Sequence, residues 1–222
     1  MAGTGTTAAD REDTRARLLE TAGRLFAEHG YDSVTVRQIC NEAGANIAAV
    51  NYHFGDKQSL YLEVVTSVLQ FPQRALERVG DGPPEQQLRR FITEYLTGLL
   101  RPEGSAWALR LVQLELARPT AALAQVVDNV IRPTERGLRN IIARITGLDP
   151  QSERVRMCAH SVIGQCLHYR HAEPVFAHLW PDLWNQPERL QSVADHIASF
   201  SLHGLEGLKH ERRTHKGDRK NG

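Results

Sequence analysis

The twenty-three residues from Thr35 to Lys57, TVRQICNEAGANIAAVNYHFGDK, leave this chain few folds to choose from. Thr35 is placed to cap a helix, with Gln38 reaching back from the third helical position to complete a capping box. Ile39 and Ala43 share one face of that helix. Gly44 supplies the permissive backbone that a tight turn needs, and Asn46 caps a second helix carrying Ile47 to Phe54 before Gly55 stops it. Asp56 caps a third, with Lys57 in its first turn. Val50 and Phe54 lie four apart and point to the core, which leaves Asn46, Ile47, Ala48, Asn51, Tyr52 and His53 for the outer surface or the helix start. The spacing therefore predicts a helix-turn-helix. Small and polar side chains at the start of its second helix suit entry into a major groove.

Helical periodicity continues through nearly all of the remaining chain, and no alternating run is long enough to argue for a sheet, so the fold class is all-α. A first helix over 13–29 places Leu18, Ala22, Leu25 and Phe26 on one buried stripe and ends at Gly30. The helix after Asp56 runs to about Pro72, which kinks or ends it, and links two domains. The clearest loop is Gly80-Asp81-Gly82-Pro83-Pro84, followed by an amphipathic helix through Leu88, Phe91, Ile92, Tyr95 and Leu99. Residues 105–117 are apolar on nearly every side and predict a central helix. Helical pieces over 120–131 and 133–146 are broken at Pro133, and two long amphipathic helices follow at 152–171 and 187–207. The organisation predicted is a three-helix helix-turn-helix domain at 11–71 and a larger helical domain at 72–209, with disordered tails at 1–10 and 210–222.

Composition narrows the function classes. A charged fraction of 24% and a hydrophobic fraction of 41% are ordinary for a soluble globular protein, and no window is apolar enough to cross a membrane. MAGTGTTAAD has neither a basic region nor an apolar core, so it is not a secretory signal, and the expected compartment is the cytoplasm. Cys40, Cys158 and Cys166 are an odd number without framework spacing and read as reduced thiols. The net charge is only +1, and residues 1–57 hold six Lys or Arg against eight Asp or Glu, a balance of −2. Such a balance permits DNA binding through amide donors and helix dipoles, which meet phosphate without formal charge. The tail from Gly207 to Gly222 has six basic against two acidic residues, net +4, and serves solubility or auxiliary DNA contact.

With these elements in place, NIAAVNYHFGDKQSLY, preceded by TRARLLETAGRLFAEHGYDSVTVRQI, resembles the DNA-binding segment of the TetR family of bacterial transcriptional regulators over roughly residues 11–70. The run WALRLVQLELARPTAAL with the downstream Pro133 resembles the family's CecR-type branch. The family pattern has a tyrosine where this chain has Asn51, an asparagine that can reach a base or a phosphate. The resemblance implies a homodimeric, ligand-released repressor reading a palindromic operator in double-stranded DNA. It implies DNA contact by Thr35, Arg37, Asn46, Ile47, Ala48, Asn51, Tyr52, His53 and Lys57, with Arg37 able to reach a base edge. The last two long helices carry apolar stripes at Val155, Ala159, Val162, Ile163 and Cys166, and at Val193 and Ile197. On periodicity alone these are equally an intrachain core; the resemblance makes them a four-helix dimer interface, with Ala159 and Gly164 small enough for close approach. It also implies a small-molecule effector in the larger domain. A mostly apolar pocket with a few orienting groups would use Tyr95, Trp107, Arg110 and Gln113, although buried ion pairing between helices is the alternative, and the favoured one, for Arg110 and Glu115.

Two other readings compete. Cys158, His160, Cys166, His168 and His171 hold metal-ligating atoms on one helix, which would suit a metal-responsive sensor or a helical enzyme. Cys158 and Cys166 are two turns apart, the spacing matches no recognised site, and nothing marks an oxyanion hole or a phosphate loop. No catalytic residue, metal site or cofactor is therefore assigned. The cluster Phe176, Leu179, Trp180, Leu183 and Trp184 reads as packing under a loop or as a binding box.

Overall fold

A computed structural model describes residues 8–100, 107–183 and 188–218, with 8–9 and 210–218 described by their backbone alone. Every regular element among them is helical. They fall into two compact units, one drawn from Met1–Gln70 with Glu103–Val130 and one from Phe71–Pro102 with Ile131–Gly222.

The first unit is built on α1 (Ala8–His29), against which pack α2 (Val36–Ala43), α3 (Ile47–Phe54), α4 (Lys57–Leu69) and α7 (Trp107–Ala117). The predicted stripe is buried: Leu18, Ala22, Leu25 and Phe26 are all at most 1% exposed and meet Ile39, Val50 and Leu60. Complete burial of one such side chain contributes about 1.5–3 kcal/mol. α8 (Ala121–Val126) packs on α4, so segment 107–130 completes the core of the first unit rather than standing with the rest of 72–209. Trp107 lies across Gly23 of α1 and donates its Nε1–H to Glu20 at 2.8 Å.

Glu115 in α7 is 1% exposed. It accepts hydrogen bonds from the Tyr61 hydroxyl and from both the amide and the hydroxyl of Thr120, the latter two at 2.8 Å. Burial, followed by that carboxylate, raises the Tyr61 phenol above its ordinary range. Buried ion pairing of Arg110 and Glu115 with other helices is not seen among the described residues, where Arg110 is exposed and Glu115 turns inward to Tyr61 and Thr120.

The second unit holds α5 (Phe71–Glu77), α6 (Pro84–Leu100), α9 (Arg132–Thr146), α10 (Glu153–His171), α11 (Glu173–Leu179) and α12 (Arg189–Asp218). Its core gathers Leu88, Phe91, Ile92, Leu138, Ile142 and Val155. Pro72 opens α5 rather than kinking α4, which ends at Leu69. Pro133 does not break the chain's helical course: a π-helical turn, Val127–Ile131, runs straight into α9, whose first turn tolerates a proline because its amide has no intrahelical partner. The cluster read as packing under a loop or as a binding box begins on α11, whose Phe176 stacks on Tyr169 with ring centroids 5.4 Å apart. Leu183 is buried, Leu179 and Trp180 are exposed, and Trp184 lies outside the described residues. The proposed tails are helical at Ala8–Asp10 and from 210 to Asp218, with 1–7 and 219–222 outside the described residues. Among the described residues no helix is long and apolar enough to cross a membrane.

Candidate nucleic-acid interface

Local chemistry sets the geometry of α2 and α3. Thr35 Oγ1 accepts the Gln38 amide at 3.2 Å, and Gly44 takes the left-handed conformation (φ 62°, ψ 37°) that turns the chain. Asn46 Oδ1 accepts the Ala48 amide at 3.1 Å, and Asp56 Oδ1 accepts the Ser59 amide at 2.7 Å. Only half of the capping box forms, since the Gln38 side chain turns to Glu42 instead of back to Thr35. Arg24 of α1 reaches Glu42 at 2.6 Å and holds its carboxyl below the usual range, pinning α2 on α1.

With Val50 and Phe54 anchored in the core, the outer face of the motif is free. Thr35, Arg37, Asn46, Ile47, Ala48, Asn51 and Tyr52 are all exposed, Ile47 by 46% and Tyr52 by 70%, while His53 and Lys57 are half-buried. The structure thus brings all nine predicted DNA-facing residues onto one motif. Lys57 has its ammonium 4.3 Å from the centroid of the Tyr31 ring, a cation–π support that the sequence alone did not suggest.

The other predicted sites fare differently. Tyr95 is buried in the second unit against Phe71 and Phe91, and Trp107, Arg110 and Gln113 belong to the first unit. Arg110 and Gln113 do share a cleft of about 460 Å³ with the end of α1. Of the seven residues assigned to a dimer face, Val155, Ala159, Val162, Cys166, Val193 and Ile197 are at most 5% exposed in the core of the second unit, and Ile163 packs against it. The intrachain alternative accounts for that stripe, because its partners are α6, α9 and the other long helix of the same chain. The outward faces of α10 and α12 instead show Met157, Gly164, Phe200 and Gly204.

Burial pushes the Cys166 thiol up to about 12 and also raises Cys158, which disfavours the thiolate a metal would need. His160, His168 and His171 are exposed, and among the described residues no three His, Cys, Asp or Glu side chains are grouped to hold a metal. The metal-sensor and enzyme readings are not favoured.

Residues 18–64 match the family described as bacterial regulatory proteins, tetR family, and residues 84–205 match the C-terminal domain of the HTH-type transcriptional dual regulator CecR. The chain is 30% identical over 171 residues to the HTH-type transcriptional dual regulator CecR of Shigella flexneri, across 72% of this chain and 76% of that protein. It is 46% identical over 107 residues to the HTH-type transcriptional repressor AcnR of Corynebacterium efficiens, across 48% of this chain and 50% of that one. Among solved structures it is similar to AibR in complex with isovaleryl coenzyme A and operator DNA. That likeness has a TM-score of 0.58 at 18% identity, covers 84% of this chain and 97% of that one, and speaks to the fold alone.

Proposed function

The chain belongs to the TetR family of bacterial transcriptional regulators, with a CecR-type C-terminal domain, and from that membership we propose a homodimeric cytoplasmic repressor that binds a palindromic operator and releases it when a small molecule binds. The observation that carries the reading is the exposed outer face of α2 and α3, where Ile47 and Tyr52 stand in solvent on a helix whose Val50 and Phe54 are fixed in the core. Large apolar groups held out on a rigid eight-residue helix suit thymine methyls and sugar edges. Thr35 and Asn46 spend one side-chain oxygen each on a cap, which leaves their remaining capacity for phosphate.

Arg37 is the base reader in this scheme, since its planar fork suits guanine O6 and N7. Arg37→Ala should cost roughly 1–3 kcal/mol of discrimination, read as a loss of specific over non-specific binding in competition assays. Tyr52, His53 and Lys57 position the helix on the backbone. Lys57→Ala should weaken binding to all sequences alike and reduce the slope of log affinity against log salt by about one.

Two copies are needed because one short helix reads too few bases to be selective. We place the pairing surface on the outward faces of α10 and α12, around Met157, Gly164, Phe200 and Gly204, where exposed apolar groups alternate with glycines whose Cβ positions meet nothing within 4 Å. Phe200→Glu should give a folded monomer by sedimentation with much weakened operator binding. A dimer of undiminished affinity would remove this face from the interface.

Functionally, residues 11–71 read DNA and 72–209 sense the effector and dimerise, with segment 107–130 packed in the reading unit and able to carry the signal. A ligand shifts DNA affinity only by its differential affinity for two states, and coupling of about 1–3 kcal/mol loosens binding some five- to 150-fold.

A further inference from the structure

Within the first unit, the end of α1, the turn after it and one face of α7 enclose a cleft of about 460 Å³. That volume falls in the range of roughly 300–1,000 Å³ typical of small-molecule sites. Arg110 and Leu114 on α7, and Arg118 just past its end, succeed one another at four-residue intervals and all line it. The two guanidinium-bearing residues are therefore about 12 Å apart along the axis, one on either side of an apolar leucine. Both arginines are exposed, and among the described residues neither is in an ion pair.

On the facing wall the acids are Glu28 and Asp32. Glu28 is already held by Arg24 at 3.6 Å and lies beside His29, which leaves Arg110 and Arg118 in excess over the uncommitted carboxylate. The aromatic part of the lining is Tyr31 and Tyr61, whose ring centroids are 4.7 Å apart. Gln113 and Thr120 add neutral polar groups.

We propose that this cleft is a binding site for a small aromatic carboxylate, its anion taken by Arg110 or Arg118 and its ring by Leu114 and the tyrosines. Tyr31 supplies the consequence. The same ring that lines the cleft supports the Lys57 ammonium at 4.3 Å, so an occupant that moves Tyr31 removes the support of a phosphate-contacting lysine. The site as such stands on the geometry; its effect on DNA rests on the function proposed above.

Calorimetric titration of the full chain with 2-naphthoate, and with 2-naphthamide as the neutral isostere, tests the site directly. The expected result is one naphthoate per chain, at least tenfold tighter than the amide. The double variant Arg110→Gln, Arg118→Gln should bind naphthoate at least tenfold more weakly with an unchanged thermal midpoint. Absence of naphthoate binding up to millimolar concentration, equal binding of the amide, or full affinity in the double variant would each overturn the site. On the same samples, naphthoate should lower DNA affinity at least fivefold for the wild type and not for the double variant; binding without that change overturns the coupling through Tyr31. DNA binding is also measured without naphthoate, so its failure condemns the regulator reading and leaves the site standing.

Discussion

Val162→Asp is expected to remove much of the protein's folding stability. Val162 is 2% exposed in the core of the second unit, in one apolar cluster with Val155, Cys166 and Ile197. An uncompensated buried charge costs roughly 3–5 kcal/mol, and a domain's whole stability is about 5–15 kcal/mol. Far-ultraviolet circular dichroism at 25 °C and a thermal scan should show a lost or strongly broadened transition, whereas Phe200→Glu, changed at an exposed site of the same helical layer, should keep its transition. A Val162→Asp protein that remained fully folded and merely dissociated into monomers would return this stripe to the dimer interface.

The second large effect is at Gly23, and its sign is diagnostic. Alanine in an exposed helix interior is better than glycine by about 0.8–1 kcal/mol, so a glycine with open space above it gains from the change. Here a Cβ would stand 2.2 Å from Cη2 and 2.3 Å from Cζ2 of the Trp107 indole. The ring must leave α1 and give up its bond to Glu20, at an overpacking cost of about 1–3 kcal/mol. Gly23→Ala should thus lower the thermal midpoint by several degrees. Combined with Trp107→Ala it should cost much less than the sum of the two single changes, since the clash is removed along with the ring. Stabilisation by Gly23→Ala alone, or additive effects, would mean that Trp107 does not dock α7 on α1.

Both experiments bear on what the sequence could and could not disclose. The caps at Thr35, Asn46 and Asp56 and the turn at Gly44 were legible because each is decided within three or four residues, by one side-chain oxygen or one backbone angle. The outer face of the motif followed once Val50 and Phe54 were assigned inward. Periodicity shows that a stripe is buried without showing what covers it, which is why Val155, Ala159, Val162 and Cys166 fitted a dimer and a core equally well. Of the covering helices only α9 is a sequence neighbour of α10, while α6 and α12 come from distant parts of the chain. Segment 107–130 was grouped with the residues that follow it, yet Trp107, Leu111 and Val126 pack into the core of α1 and α4. One signal was available: a glycine at position 23, inside the otherwise strong helix former LLETAGRLF, marks a close approach by a large neighbour. Pro133 was read as a break because proline is costly inside a helix, but in the first turn it is tolerated, and the π-helical turn before it keeps the chain helical.

The central claim is that the outer face of α2 and α3 reads a two-fold DNA site. The most direct measurement is nuclease footprinting, with affinities in the presence of competitor DNA, on fragments taken from beside the protein's own gene. The account predicts one protected palindromic stretch whose half-sites lie roughly 34–36 Å apart, bound at least a thousandfold more tightly than random sequence at physiological salt, with that preference reduced in Arg37→Ala. Binding no tighter than to random DNA on every such fragment, or a specific footprint unaltered by Arg37→Ala, Asn51→Ala and Tyr52→Ala together, would contradict it.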